Sequence, residues 1–244
     1  MTDIFTIMWK EYRELLRQRG TTKTTILTIF VPTLLLGVYM PFQLGEQWVA
    51  TPMAFVMLVW IQLFLVNAVI ADSFAGERER HTLETLLASR LSDASILFGK
   101  ILSAVTYSFL ITTVIIVLGL VTINLKNIGE GLLVFSPFHL ITGISACLIA
   151  ALFISTVGVL VSLKTATVRQ AQQTMGIAII AVAFLPGLIF NIIPRTMKAH
   201  LVTLLTALAN PFWIVSAVLT GIVVDCVLLA IVLGKFKRSK LMYD

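Results

Sequence analysis

Between two long apolar runs, residues 72–100 carry Asp72, Glu77, Arg78, Glu79, Arg80, His81, Glu84, Arg90, Asp93 and Lys100. Acids, bases and an imidazole so closely spaced have the group types for acid–base chemistry. A charged amphipathic helix on a short connection is nevertheless a poor catalytic site, and a good handle for a partner protein. Leu83, Leu86, Leu87 and Leu91 fall within one apolar arc at helical spacing, with Glu79, Arg80 and Arg90 in or beside it. One neighbour could touch both leucines and charges. Arg80 and Glu84 make an i,i+4 pair, and Glu77 can reach Arg80 or His81. Gly76 permits a tight exit from the preceding segment, and Ser92 or Asp93 can cap the helix that follows. A solvated loop helix whose charges merely hold topology fits the same composition.

Asp225 is the one acid deep in an apolar run, roughly 15 Å along a helix from Lys235. Gln62 lies at the same remove from Asp72, so it matches Asp225 in depth if the fold brings the two segments together. Asp225 reads either as part of a substrate or cation path or as a protonated acid bonded to a neighbouring helix. No Lys or Arg within the apolar runs offers it an ion pair. Cys147 and Cys226 have no CxxC or His neighbour and read as small core residues. HExxH and GxSxG are absent, and His81, His139 and His200 sit at different depths, which leaves an intramembrane enzyme without its parts.

The elements around these residues are membranous. Of 244 residues, 58% are hydrophobic and 12% charged, with mean hydropathy +0.99, against about 25% charged in an ordinary globular domain. The expected fold is a single all-α membrane domain over 1–244, with six spans near 24–42, 52–72, 97–123, 138–163, 175–193 and 212–234. Sorting the connections leaves Lys126, Arg195 and Lys198 on one side and every other Lys and Arg on the opposite side. That asymmetry places both termini and the 73–96 loop in the cytoplasm of a cell-membrane protein. The net charge of +6 belongs to this topology, and no nucleic-acid partner is expected. No cleavable signal is expected either.

Residues 1–20 form an amphipathic helix, with Ile4, Phe5, Met8, Trp9, Tyr12, Leu15 and Leu16 on one side and Glu11 as the exception among them. Such a helix suits the lipid interface. Trp48 and Trp213 read as interfacial anchors, and 194–211 as a short re-entrant or interfacial segment on the outer face, stopped by Asn210-Pro211. Gly143, Cys147, Ala151 and Ser155 form a small-residue stripe for close helix packing, within the subunit first and across a dimer second. Pro32 and Pro186-Gly187 should kink the first and fifth spans.

The run Glu77-Arg-Glu-Arg-His-Thr-Leu-Glu-Thr-Leu-Leu87, then Leu91-Ser and Gly99-Lys100, resembles the cytoplasmic loop of ABC type-2 exporter permeases. That family's pattern is approximately Glu-x-Glu-x-Gly-Thr-x-Glu-x-Leu-Leu, a small residue, a Pro, and later Gly-Lys. Trp9-Lys10-Glu11 and Glu14-Leu15-Leu16-Arg17 are similar to its elbow helix. His81 stands where a Gly is usual and Arg90 where a Pro is usual, so the helix at 76–92 is expected to run past its customary break.

The resemblance implies a coupling helix at 76–92, between spans two and three, seated in an ATP-binding cassette subunit through Glu77, Glu79, Thr82, Glu84, Leu86 and Leu87. Gly99-Lys100 and Gly234-Lys235 lack the rest of a phosphate-binding loop. ATP and Mg therefore belong to the partner, and this chain carries no cofactor and is not itself an enzyme. The implied activity is export of an amphipathic drug, antibiotic peptide or lipid-like molecule by two copies or paralogues in the lipid bilayer. The loop is closer to the drug, antibiotic-peptide and sodium-extrusion branches than to the polysaccharide branch. The competing reading is an ion-gradient-driven transporter, or sodium extrusion, using Asp225.

Overall fold

The computed structural model describes residues 2–19, 23–129, 131–192, 194, 197 and 210–236. They form α1 (Thr2–Arg19), α2 (Lys23–Leu34), a π-helical turn (Leu35–Tyr39), α3 (Met40–Leu44), α4 (Gln47–Ala50), α5 (Met53–Glu79), α6 (Leu83–Leu87), α7 (Asp93–Lys126), α8 (Pro137–Lys164), α9 (Val168–Ile192) and α10 (Pro211–Lys235). No strand occurs among the described residues, and four of the helices, α5, α7, α8 and α10, are long and apolar enough to cross a membrane. The outer segment expected at 194–211 lies almost wholly outside the described residues.

Capping chemistry sets three of the helix starts. Ser92 Oγ accepts the Ser95 N–H at 3.1 Å, Ser136 Oγ that of His139 at 3.2 Å, and Asn210 Oδ1 that of Phe212 at 3.2 Å. Pro137 and Pro211 occupy first helical positions, where a missing N–H leaves nothing unsatisfied.

α5 is the central helix, and it packs against α8 with both chains running the same way. A Cβ on Gly143 would lie 2.1 Å from the Phe55 ring, and one on Gly158 would lie 2.3 Å from Ile70. The stripe of small residues on α8 is thus consumed inside the subunit. The backbones come so close that Ser162 Oγ accepts from Phe74 N (3.2 Å) and Ala75 N (2.9 Å) and donates to Ala71 O (3.0 Å). α9 runs antiparallel to α5, with Asn67 Nδ2 donating to Gln172 O at 3.5 Å and Ala171 packed with Ala71 and Ala75. α10 lies along α8, Gly221 against Ile149, and Phe236, just past its end, meets Phe74 with ring centroids 5.4 Å apart. Cys147 is buried, whereas Cys226 faces outward on α10 and is no core residue.

α2, the π turn and α3 run beside α7 in the same sense. Pro32 sits within regular helix, and the irregular turn comes instead at 35–39. Pro41 has no N–H for Gly37 O, four residues earlier. The ladder widens there, with Met40 N bonded to Leu35 O, and Thr122 Oγ1 donates to Gly37 O at 3.0 Å. Trp48 is not an interfacial anchor: it is 1% exposed, its indole edge over Gly119. Trp213 remains half exposed. The backbone of α9 stays helical through Pro186-Gly187 to Ile192.

Gly143→Ala should cost about 1–3 kcal/mol of stability through overpacking. Phe55→Leu in the same chain should recover part of that loss, read as the thermal unfolding midpoint of purified protein.

Candidate functional site

The charged residues of α1, α5 and α7 converge at the end of the bundle where α5 ends. Lys100 is 1% exposed, a position that costs an ammonium several kcal/mol in lost hydration. Its three donors have three oxygens within reach: Glu11 Oε1 at 2.8 Å, Glu77 Oε1 at 3.0 Å and Ser73 O at 2.6 Å. The Phe74 ring lies 5.0 Å from Nζ and adds a cation–π contact. From the solvent side Lys10 Nζ meets Glu77 Oε1 at 2.5 Å and Glu14 at 3.4 Å.

Gly99 makes this geometry possible. A Cβ there would sit 2.7 Å from the Ile7 side chain, so α1 can lie against α7 only where that Cβ is missing. Tyr12 bonds Thr106 one step further along. The buried face of α1 is Ile7, Glu11 and Leu15, while Phe5 and Trp9 project outward, 68% and 61% exposed. Glu11, the anomaly on the apolar side, is thereby explained as the counter-charge of Lys100.

Residues 76–92 do not form one helix. α5 continues through Glu79, a turn follows at Arg80-His81, and α6 adds a short helix before a second turn. His81 has φ 57, the one positive φ among described non-glycine residues. The chain thus breaks where the resemblance places a glycine, and the imidazole does not prolong the helix. Arg80 turns back to Asp72 (3.2 Å) and toward Glu14 (4.0 Å) rather than pairing with Glu84. Gly76 is not an exit either: it lies inside α5, and a Cβ on it would fall 2.0 Å from Asp72 Oδ1. Its role is to leave room for the Asp72–Arg80 pair along the helix surface.

The expected docking residues therefore separate. Glu77 is 1% exposed and held by Lys10 and Lys100, so it faces inward and not toward a partner. Glu79 Oε2 accepts the Val168 N–H at 3.2 Å, at the start of α9, where the helix dipole favours an acid. Arg78 donates to Thr165 O (2.7 Å) and Leu163 O (2.9 Å), covering the last carbonyls of α8. Leu83 is buried and Leu86 half-buried against the core, while Thr82, Glu84, Thr85 and Arg90 are exposed. The Leu87 side chain is outside the described residues. α6 is anchored from below by leucine and presents polar groups above.

This arrangement is an electrostatic staple: Lys100 is paired with Glu11 and Glu77, and Glu77 also with Lys10. No group of three His, Cys, Asp or Glu able to hold a metal occurs among the described residues. In the apolar interior, Gln62 meets Ser108 (3.2 Å) and Thr112 of α7. Asp225, on α10, is separate from it, with both oxygens unpartnered. Sequence reasoning missed Lys100 and Glu11 as a pair. The signal was available in Glu11 on an apolar face and a lysine inside the start of an apolar helix.

Residues 2–223 match the sequence model of a family described as ABC-2 type transporter. No curated protein matches the chain.

Lys100→Met leaves two buried carboxylates short of a counter-charge and should cost about 3–5 kcal/mol. Lys10→Met, at the exposed rim, should cost only about 0–1 kcal/mol; denaturant titrations of both variants make the comparison. His81→Gly should stabilise by about 1 kcal/mol, since glycine carries no left-handed penalty, and the same titration reads it.

Proposed function

Because the chain belongs to the ABC-2 type transporter family, it is a transmembrane permease, and we propose that it is the membrane subunit of an ATP-driven exporter. Its substrate is an amphipathic molecule, such as a drug, an antibiotic peptide or a lipid-like compound, taken from the cytoplasm or inner leaflet. ATP and Mg act in a separate cassette subunit, and two permease copies or paralogues form the conduit.

The observation that carries this reading is the turn at 80–92, exposed on its outer side and rooted on its inner side by Leu83, directly after a foot of α5 that is tied to α1 and α7. α6 is the coupling element, offering Thr82, Glu84, Thr85 and Arg90 to the ATPase. Leu83 roots it in the core, and Glu77, one helical turn before the Arg80-His81 turn, ties α5 to α1 and α7. A push on α6 displaces the foot of α5. The buried lysine cannot stay behind without separating charges in a medium of low polarity, which costs several kcal/mol. α1 and α7 therefore follow as one body, and the lever reaches the spans.

Six crossings with both termini in the cytoplasm are part of the reading. Two facts support it: α2–α3, α7 and α9 run opposite to α5, α8 and α10, and nearly all the Lys and Arg among the described residues fall at one end. α1 is then the elbow helix, its exposed Phe5 and Trp9 in the inner lipid interface and Arg13 over the Trp9 ring at 5.2 Å.

Thr82→Arg and Glu84→Arg alter exposed positions and should leave the fold intact. Each should cut co-purification of the permease with its ATPase, and ATP-dependent efflux from inverted vesicles, several-fold. Undiminished co-purification in the double variant contradicts the assignment of α6.

A further inference from the structure

At the charged end of the bundle, the last turn of α10 sorts apolar from basic. Val232 and Phe236 are buried, while Lys235 between them is exposed. Phe236 lies against Phe74 of α5, and the Phe74 N–H donates to Ser162 Oγ of α8 at 3.2 Å. One residue thus touches the ends of both α8 and α10. Lys164, exposed two residues past Ser162, therefore comes to the same level as Lys235. Lys237, Arg238 and Lys240 follow in sequence, with Asp244 the one acid there.

The chain itself supplies little negative charge to meet these cations. α8, α9 and α10 hold a single acid among them, Asp225, which lies about 15 Å of helix short of Lys235. The acids at the foot of α5 are already engaged. Glu77 is held by Lys10 and Lys100, Asp72 by Arg80, and Glu79 accepts the Val168 N–H.

The surroundings of α10 decide what kind of anion fits. Its main neighbour is α8, and Leu219, Val223, Val227 and Ile231 are exposed away from the bundle. α10 is long and apolar enough to cross a membrane, so that side suits acyl chains and its foot emerges among headgroups of the same leaflet. A cluster of Lys and Arg just outside a span draws anionic lipid, because each cation near the surface gains from its negative potential. α6, the element offered to another protein, follows α5 instead. We propose that Lys235, Lys237, Arg238 and Lys240, with Lys164 level with the first of them, form a site for the headgroups of anionic phospholipids. The bound headgroups seat the foot of α10, and with it Phe236 on Phe74, whose ring also stands 5.0 Å from the Lys100 ammonium. The site depends neither on the docking of α6 nor on which leaflet borders this end, and its test needs no transport.

The experiment places the full chain in nanodiscs of phosphatidylcholine, alone or mixed with phosphatidylglycerol, and follows hydrogen exchange by mass spectrometry. Phosphatidylglycerol should slow exchange in peptides covering 228–240 several-fold, and raising the salt concentration should reverse most of that protection. The triple variant Lys237→Gln, Arg238→Gln, Lys240→Gln should lose the response. The charge-preserving triple variant Lys237→Arg, Arg238→Lys, Lys240→Arg should keep it. Peptides covering 3–15 should exchange alike in both variants and the parent chain, which marks the loss as local and the fold as intact. Equal exchange in the two lipids, protection that survives high salt, or a response unchanged in the Gln variant overturns the proposal. An unchanged lipid response joined to lost co-purification with the ATPase would give these cations to a protein partner instead.

Discussion

A single ammonium organises the charged end of this molecule. Lys100 is removed from water almost completely, and that is tolerable only because Glu11, Glu77 and the Ser73 carbonyl meet it from two other helices. Each partner constrains a different part of the chain. Glu11 fixes the rotation of α1, Ser73 and Glu77 fix the foot of α5, and Lys100 itself fixes how far α7 can slide. A buried pair of this kind adds little net stability compared with a well-packed apolar core, but losing one member is expensive. Its effect is to make three helices hold one geometry.

The surrounding packing is arranged to deliver that geometry. Gly99 lets α1 approach α7. On the far side of α5, Ser162 enters the α5 backbone ladder while Arg78 grips the end of α8. The last turns of α5 are therefore held from both flanks just before the chain leaves the bundle at His81. Beyond that point the restraint falls to Leu83 and Leu86, and Thr82, Glu84 and Thr85 are exposed. Rigid behind and exposed in front, α6 suits the coupling role proposed for it.

Much of this was legible in the sequence, for reasons that are local. Ser92, Ser136 and Asn210 announce helix starts because a cap needs only its own next residues. The 143–155 stripe announces close packing because small side chains permit little else. Glu11 stood out as an acid on an apolar face, but its explanation lies 89 residues away in Lys100, and no local pattern links the two. Lys100 was counted as a topological charge because position alone cannot separate a snorkelling lysine from a buried one. Glu77 looked like a docking residue since its neighbours are exposed, yet its burial comes from α1 and α7. The fate of His81 followed from backbone sterics: a glycine position in a pattern marks a left-handed turn, and the turn persists when another residue fills it. Trp48 was misplaced because a tryptophan near a span end looks alike whether it faces lipid or a glycine on the next helix.

Hydrogen exchange, followed by mass spectrometry on the intact chain and on Lys100→Met, tests the central claim most directly. If the buried lysine binds α1 and the foot of α5 into one body, its removal should raise exchange in 3–15 and in 76–92 together and by similar factors. Exchange that rises only at the start of α7, with both other segments unchanged, would contradict it.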